Sequence, residues 1–196
     1  VFGNPDKKIE HGGYGAFTMG YTKIDDQNAM IMGGRAGWLI DHHFTIGLAG
    51  YGFFNNVEKN DSQDPYYNRT LAGGYGGLFL EAIIAPNYPV HVTIPVLIGA
   101  GGATAQYGSV WDENYWQSYN YYYNSDAYFV LEPGVELEVN ILKFFRIAFG
   151  GTYRFTNGIN LSYDYYDADN NYVSEKIDTK AIDGFNFNLS LKFGWF

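Results

Sequence analysis

The sequence predicts an all-β protein: an eight-stranded antiparallel transmembrane β-barrel of up-and-down topology, with both termini periplasmic. Three observations predict it. The segment from Gly184 to Phe196 alternates large apolar with small or polar residues, and a period of two gives a strand one apolar and one polar face. The composition joins 46% hydrophobic and 19% aromatic residues to 25 Gly, yet mean hydropathy is only -0.23, as suits strands that are apolar on one side. Finally, short and long connections alternate along the chain, the asymmetry of barrels with short periplasmic turns and long outer loops.

Alternation marks eight strands, at 12–23, 29–39, 44–56, 70–83, 89–106, 126–139, 144–156 and 182–196. They form a single domain, 1–196, in which 1–11 is an N-terminal segment and 12–196 the barrel. The first strand leads through the short Ile24 to Asn28 connection into the second, which sets Met30, Met32, Ala36 and Trp38 against Gly33, Arg35 and Gly37. Asp41-His42-His43 is a tight turn into strand three, and a long polar loop near 57–69 follows it. Strand four ends at the turn Ala85-Pro86-Asn87-Tyr88. Strand five carries Val90, Val92, Ile94, Val96 and Ile98 on one face, His91, Thr93 and Leu97 on the other, and runs into a loop at 107–125. Strand six opposes Leu131, Val135, Leu137 and Val139 to Glu132, Gly134, Glu136 and Glu138, then turns at Asn140 to Lys143. Strand seven opposes Phe145, Ile147, Phe149, Tyr153 and Phe155 to Arg146, Ala148, Gly150, Thr152 and Arg154, and a third long loop spans 157–181. In strand eight Phe185, Phe187, Leu189, Leu191, Phe193 and Trp195 share the lipid face, so Phe196 falls on the lumen side.

Several classes are excluded. The longest stretch without Asp, Glu, Lys or Arg, Ala82 to Trp111, contains Pro86, Pro89 and Pro95 and cannot be one continuous membrane helix. There is no Cys, hence no disulfide and no thiolate metal site. A net charge of -9 disfavours nucleic acid as a partner. No cofactor is implied. If the chain is exported, Val1 begins a processed or truncated form.

Bulky outward faces and small or polar inward faces fit a narrow barrel, whose interior is just wide enough to be filled by side chains. Trp38 and Trp195 fall near the short-turn end of their strands, and Tyr21, Phe54, Tyr153 and Phe155 near the long-loop end, forming two interfacial girdles. Pro95 and Pro133 interrupt strands in a sheet without edges, so bulges are expected there.

The inward charges are the first candidate site. Glu132, Glu136 and Glu138 face the same way as Arg146 and Arg154 on the neighbouring strand, and a three-residue turn at 141–143 would set Glu138 opposite Arg146. Arg35, Glu81, His91 and Lys192 also point inward by parity. Arg or Lys on the lipid face would cost about 2–4 kcal/mol at the midplane, whereas inside they can pair. A salt-bridged lumen, closed to ions, is the expectation; a narrow ion or small-solute channel is the alternative.

Catalysis is not expected. His11, His42, His43 and His91 all fall at the short-turn end, away from the outer leaflet where a lipid-modifying barrel works, and no G-x-S-x-G occurs. Among the loops, Trp111, Tyr115, Trp116, Tyr119, Tyr121, Tyr122 and Tyr123 concentrate amphipathic rings suited to recognition of protein or glycan, or to a tall hairpin extending strands five and six. Asp167, Asp169 and Asn171 alternate as Ca²⁺-loop ligands do, but Tyr172 stands where such a loop needs Gly, and an acidic solvated loop is the reading.

With strands and turns placed, the chain resembles small eight-stranded outer-membrane barrels of the OmpA/OmpX type. It looks more closely like Bacteroidota outer-membrane β-barrel proteins, through segments such as Gly33-Gly34-Arg35-Ala36-Gly37-Trp38, Ile94 to Gly102, Leu131 to Asn140 and Lys143-Phe144-Phe145-Arg146. The resemblance covers nearly the whole chain outside the three long loops. It implies an outer-membrane location and a structural, adhesive or accessory-subunit role, with membrane lipid and another envelope protein as partners. A lipid-modifying enzyme and a soluble lipocalin-like barrel, with its apolar faces turned inward around a ligand, are the other readings.

Overall fold

The computed structural model describes residues 9–55, 69–107, 124–166 and 171–196. Ten strands occur among them: β1 His11–Ile24, β2 Gln27–Ile40, β3 Phe44–Asn55, β4 Arg69–Ile84, β5 Val90–Tyr107, β6 Asn124–Leu142, β7 Phe145–Asn157, β8 Ser162–Tyr166, β9 Tyr172–Lys176 and β10 Gly184–Trp195. Eight of them close a barrel in the order β1-β10-β7-β6-β5-β4-β3-β2, and β8 and β9 form a separate two-stranded sheet. Every barrel pairing is antiparallel, and closure joins β1 to β10 with Gly13 opposite Trp195 and Thr22 opposite Asn186.

Local chemistry sets the tight connections. Asp25 and Asp26 (φ 51° and 58°) bridge β1 and β2, while Asp41 and His42 (φ 50° and 58°) lie between β2 and β3. Successive left-handed residues are what a type I′ hairpin needs, and Asp tolerates that region by bonding its own backbone. Inside, narrowness demands missing side chains: a Cβ on Gly47 would stand 2.0 Å from the Ala36 carbonyl oxygen, and one on Gly99 2.1 Å from that of Gly76.

The bulky apolar face points outward. Leu48, Phe129, Phe185, Phe187 and Trp195 are all exposed on the wall. A lipocalin-like arrangement has the opposite sense and does not describe this barrel. The interior is layered instead. Apolar side chains including Ile24, Ile31, Phe53, Leu71 and Tyr128 fill the end facing the long connections, and charged groups fill the remainder.

Three local expectations need correction. Pro95 and Pro133 produce no bulge: β5 pairs Thr93 with Glu136 and, beyond a gap, Val96 with Pro133 in unchanged register. Both prolines fall in the same stretch of one ladder, which loses hydrogen bonds without gaining a residue. The register shift lies between Asn140 and Leu142 instead. Consequently Arg146 stands opposite Asn140, and Glu138 opposite Ala148, not Arg146. Lastly, 157–181 is not simply a polar loop, because it contains β8 and β9. Five-residue strands with mixed polarity carry too little alternation to be seen in sequence.

Candidate functional site

Strand parity brings Glu81, Glu132, Glu136 and Glu138 into one lumen with Arg35, Arg146, Arg154, Lys192 and His91, all of them buried. Four carboxylates thus meet four permanent cations among the described residues, a balance that lowers the cost of burial. Arg35 on β2 reaches across to Glu136 on β6, with Nη1 donating to Oε1 at 3.0 Å and Nη2 to Oε2 at 2.5 Å. Its Nη2 also lies 3.8 Å from Glu81 Oε2. Lys192 on β10 donates to both Glu81 oxygens on β4, at 3.0 and 2.9 Å. In the strand order β2 stands four places from β6, and β4 four places from β10. The two pairs are therefore crossed braces spanning the barrel.

Around them the network continues toward the short-turn end. Lys192 also pairs with Glu138 Oε2. Glu138 Oε1 accepts from Arg146 Nη1 at 2.8 Å and lies 3.1 Å from His91 Nε2. Despite the altered register, Arg146 thus keeps Glu138 as its partner. Tyr14 donates to Glu81 from β1, its hydroxyl 3.1 Å from each oxygen. Phe196 lies on the lumen side, stacked on Tyr14 and beneath the Arg146 guanidinium.

Among the described residues, Glu132 and Arg154 do not join the ion pairs expected of them. Glu132 is satisfied by neutral donors, the Tyr75 and Thr152 hydroxyls and the Asn186 amide. Arg154 donates from Nε to the Ile182 carbonyl at 2.8 Å and lies over the rings of Phe53 and Tyr75, 5.3 and 5.5 Å from their centroids. Its two terminal nitrogens are buried without a hydrogen-bond partner among the described residues. Thr152 was placed inward by the sequence but given no role, and Tyr14, Tyr75 and Asn186 went unnoticed, although their parity places them inward beside the charges.

Packing leaves little room. The void among Arg35, Glu132, Glu136, Thr152 and Asn188 measures about 10 Å³, the size of about one water molecule. Above it the segment between β7 and β10 folds over the mouth, burying Ile159, Leu161, Tyr163, Ile177 and Ile182 in one cluster with Ile24, Leu71 and Tyr128. Hydrogen bonds tie this cap to the rim: Asp25 N to Ala181 O at 2.7 Å, Tyr163 OH to Asp25 Oδ2 at 3.0 Å, and Thr156 to the Asp183 carboxylate. The charged groups thus lie beneath an apolar cap.

Three solved structures share this architecture. Neisserial surface protein A superposes with a TM-score of 0.54 at 7% identity, covering 95% of this chain and 99% of its own. A major outer membrane protein from Thermus thermophilus gives 0.53 at 10% identity, covering 94% and 99%. Ail, the attachment invasion locus protein of Yersinia pestis, gives 0.51 at 11% identity, covering 94% and 98%. This is the fold of small outer-membrane barrels. Identities this low show the fold alone. No protein-family model matches the chain, and no curated protein matches it.

The outer-membrane-type wall carries the remaining candidates. Trp38 and Trp195 are exposed at the short-turn end, Trp38 with the His11 ring 5.3 Å away. The exposed Tyr21 donates to Asn28 Oδ1 at 2.6 Å near the opposite rim. Trp111, Tyr115, Trp116, Tyr119, Tyr121, Tyr122 and Tyr123 lie outside the described residues, as do Asp167 and Asp169, while Asn171 is exposed just before β9. His42 and His43 sit in the β2–β3 turn, with His42 2.8 Å from Glu10. Among the described residues no group of three or more His, Cys, Asp or Glu is placed to hold a metal ion.

Proposed function

We propose that the protein is an up-and-down barrel of the outer membrane of a diderm bacterium, with both termini periplasmic, whose closed lumen makes it a structural or accessory-subunit protein of the cell envelope. The observation that carries this reading is the crossed pair of ionic braces, Arg35–Glu136 and Lys192–Glu81. A pore keeps its charges on the wall around water, whereas these meet across the lumen. Partner recognition then belongs to the aromatic loop around Trp111 to Tyr123 and to the outer wall. The short turns, the Trp38 and Trp195 girdle and the likeness to outer-membrane barrels support the orientation.

Planar bilayers test the closed state: the pure protein should give no sustained conductance. Steady porin-like current would replace this reading with a channel. Gentle detergent extraction from native membranes tests the accessory role. A stoichiometric companion protein is expected, and recovery of the barrel alone would make it an independent structural element.

A further inference from the structure

The turn between β6 and β7 departs from the other short turns. Asp41-His42-His43 and Ala85-Pro86-Asn87-Tyr88 carry polar groups, but the end of β6 and the turn into β7 read Ile141-Leu142-Lys143-Phe144. Ile141, Leu142 and Phe144 are each about half exposed, at 49%, 53% and 58%. The register shift between Asn140 and Leu142 interrupts the ladder just before the turn. Beside it, between the turn and the end of β10, lies a cleft of about 810 Å³ bordered by these residues with Trp195, Lys143 and Arg146. Lys143 is exposed there, without an ionic or hydrogen-bonding partner among the described residues.

We propose that this cleft binds one glycerophospholipid of the periplasmic leaflet, with its phosphodiester on Lys143 and its acyl chains on Ile141 and Trp195. Two arguments select that occupant. The apolar border is continuous with the lipid-facing wall, because Trp195 shares its outward parity and Ile141, Leu142 and Phe144 are exposed beside it, so a ligand here has its tails in the bilayer. A lysine that makes no ion pair among the described residues, in a chain of net charge -9, seeks an anion, and the turn of such a barrel lies at headgroup depth. The volume suits a headgroup and the first part of its chains.

The proposal rests on the membrane orientation given above, and the test separates the two. Folded protein is inserted into nanodiscs, extracted in mild detergent and weighed by native mass spectrometry with phosphatidylglycerol, phosphatidylcholine, diacylglycerol or inorganic phosphate. One phosphatidylglycerol should stay bound, phosphatidylcholine less, and neither diacylglycerol nor phosphate alone should be retained. Lys143→Gln should weaken retention about tenfold, the loss of one charge-assisted hydrogen bond, while Lys180→Gln, on the far rim, should leave it unchanged. Equal retention by Lys143→Gln and the parent, or equal binding of diacylglycerol, would overturn the site and leave the barrel reading intact. Failure of the folded protein to insert into any bilayer would overturn the membrane placement of the barrel itself.

Discussion

Arg35 and Glu136, 101 residues apart in the chain, form a two-pronged ion pair across the barrel. Both side chains are almost entirely shielded from water, so each depends on the other for solvation. Removing one partner from a buried pair costs about 3–5 kcal/mol, whereas apolar replacement of both is often neutral. Arg35→Met and Glu136→Leu should each destabilise the barrel by about that amount, and the double variant should recover most of it. Denaturant unfolding in lipid vesicles measures this, and a double variant as unstable as the sum of the singles would show that the pair is not a unit.

Arg154 should behave differently. With its terminal nitrogens buried and unbonded among the described residues, it already bears the desolvation that Arg35 avoids. Arg154→Met exchanges the guanidinium over Phe53 and Tyr75 and the Nε bond to Ile182 for an apolar side chain, and should cost about 1 kcal/mol. The same unfolding assay should rank it well below Arg35→Met.

Cutting both braces should open the lumen. Arg35→Ala with Lys192→Ala leaves Glu81, Glu136 and Glu138 in excess over Arg146, and carboxylate-lined passages admit cations. Planar bilayers should then report a cation-selective leak where the parent shows none. An unchanged, silent trace would place the barrier in the cap.

The girdle can be read optically. With Trp111 and Trp116 replaced by Phe, the remaining Trp38 and Trp195 should be quenched most by lipids brominated near the headgroup and less by those brominated deep in the chain. Equal quenching at all depths would remove them from the interface.

The cap carries a pH-dependent contact. Ser174 on β9 donates to Asp164 on β8 at 2.6 Å, and that hydrogen bond holds the Asp164 carboxyl below its usual range. A depressed acid stabilises its folded setting above the unfolded pKa, and that contribution disappears as pH falls through the folded value. Carbon-detected titration should find the Asp164 pKa low in the parent and raised by Ser174→Ala.

Strands, faces and inward charges were legible because a period of two is a local property. Leu131 to Val139 shows its two sides wherever it is read. The β8–β9 hairpin was not legible, since its stability comes from Tyr163, Leu161 and Ile177 lodging in a mouth that exists only once the barrel has closed. The altered register at the β6–β7 turn is likewise invisible in a sequence that offers equally plausible turns one residue apart.

Taken by itself, the sequence determined that Glu81, Glu136, Arg35 and Lys192 share an interior, because alternation assigns each to the face opposite the bulky apolar residues. Only the tertiary structure decided who meets whom. Arg35 makes its two-pronged bond with Glu136 and only a longer contact with Glu81, Lys192 takes both oxygens of Glu81 and also meets Glu138, and Glu132 is left to Tyr75, Thr152 and Asn186. The physical reason is geometric. Parity fixes the direction of a side chain, but its partner across the lumen depends on how the ends of the sheet are joined and at what height each strand stands.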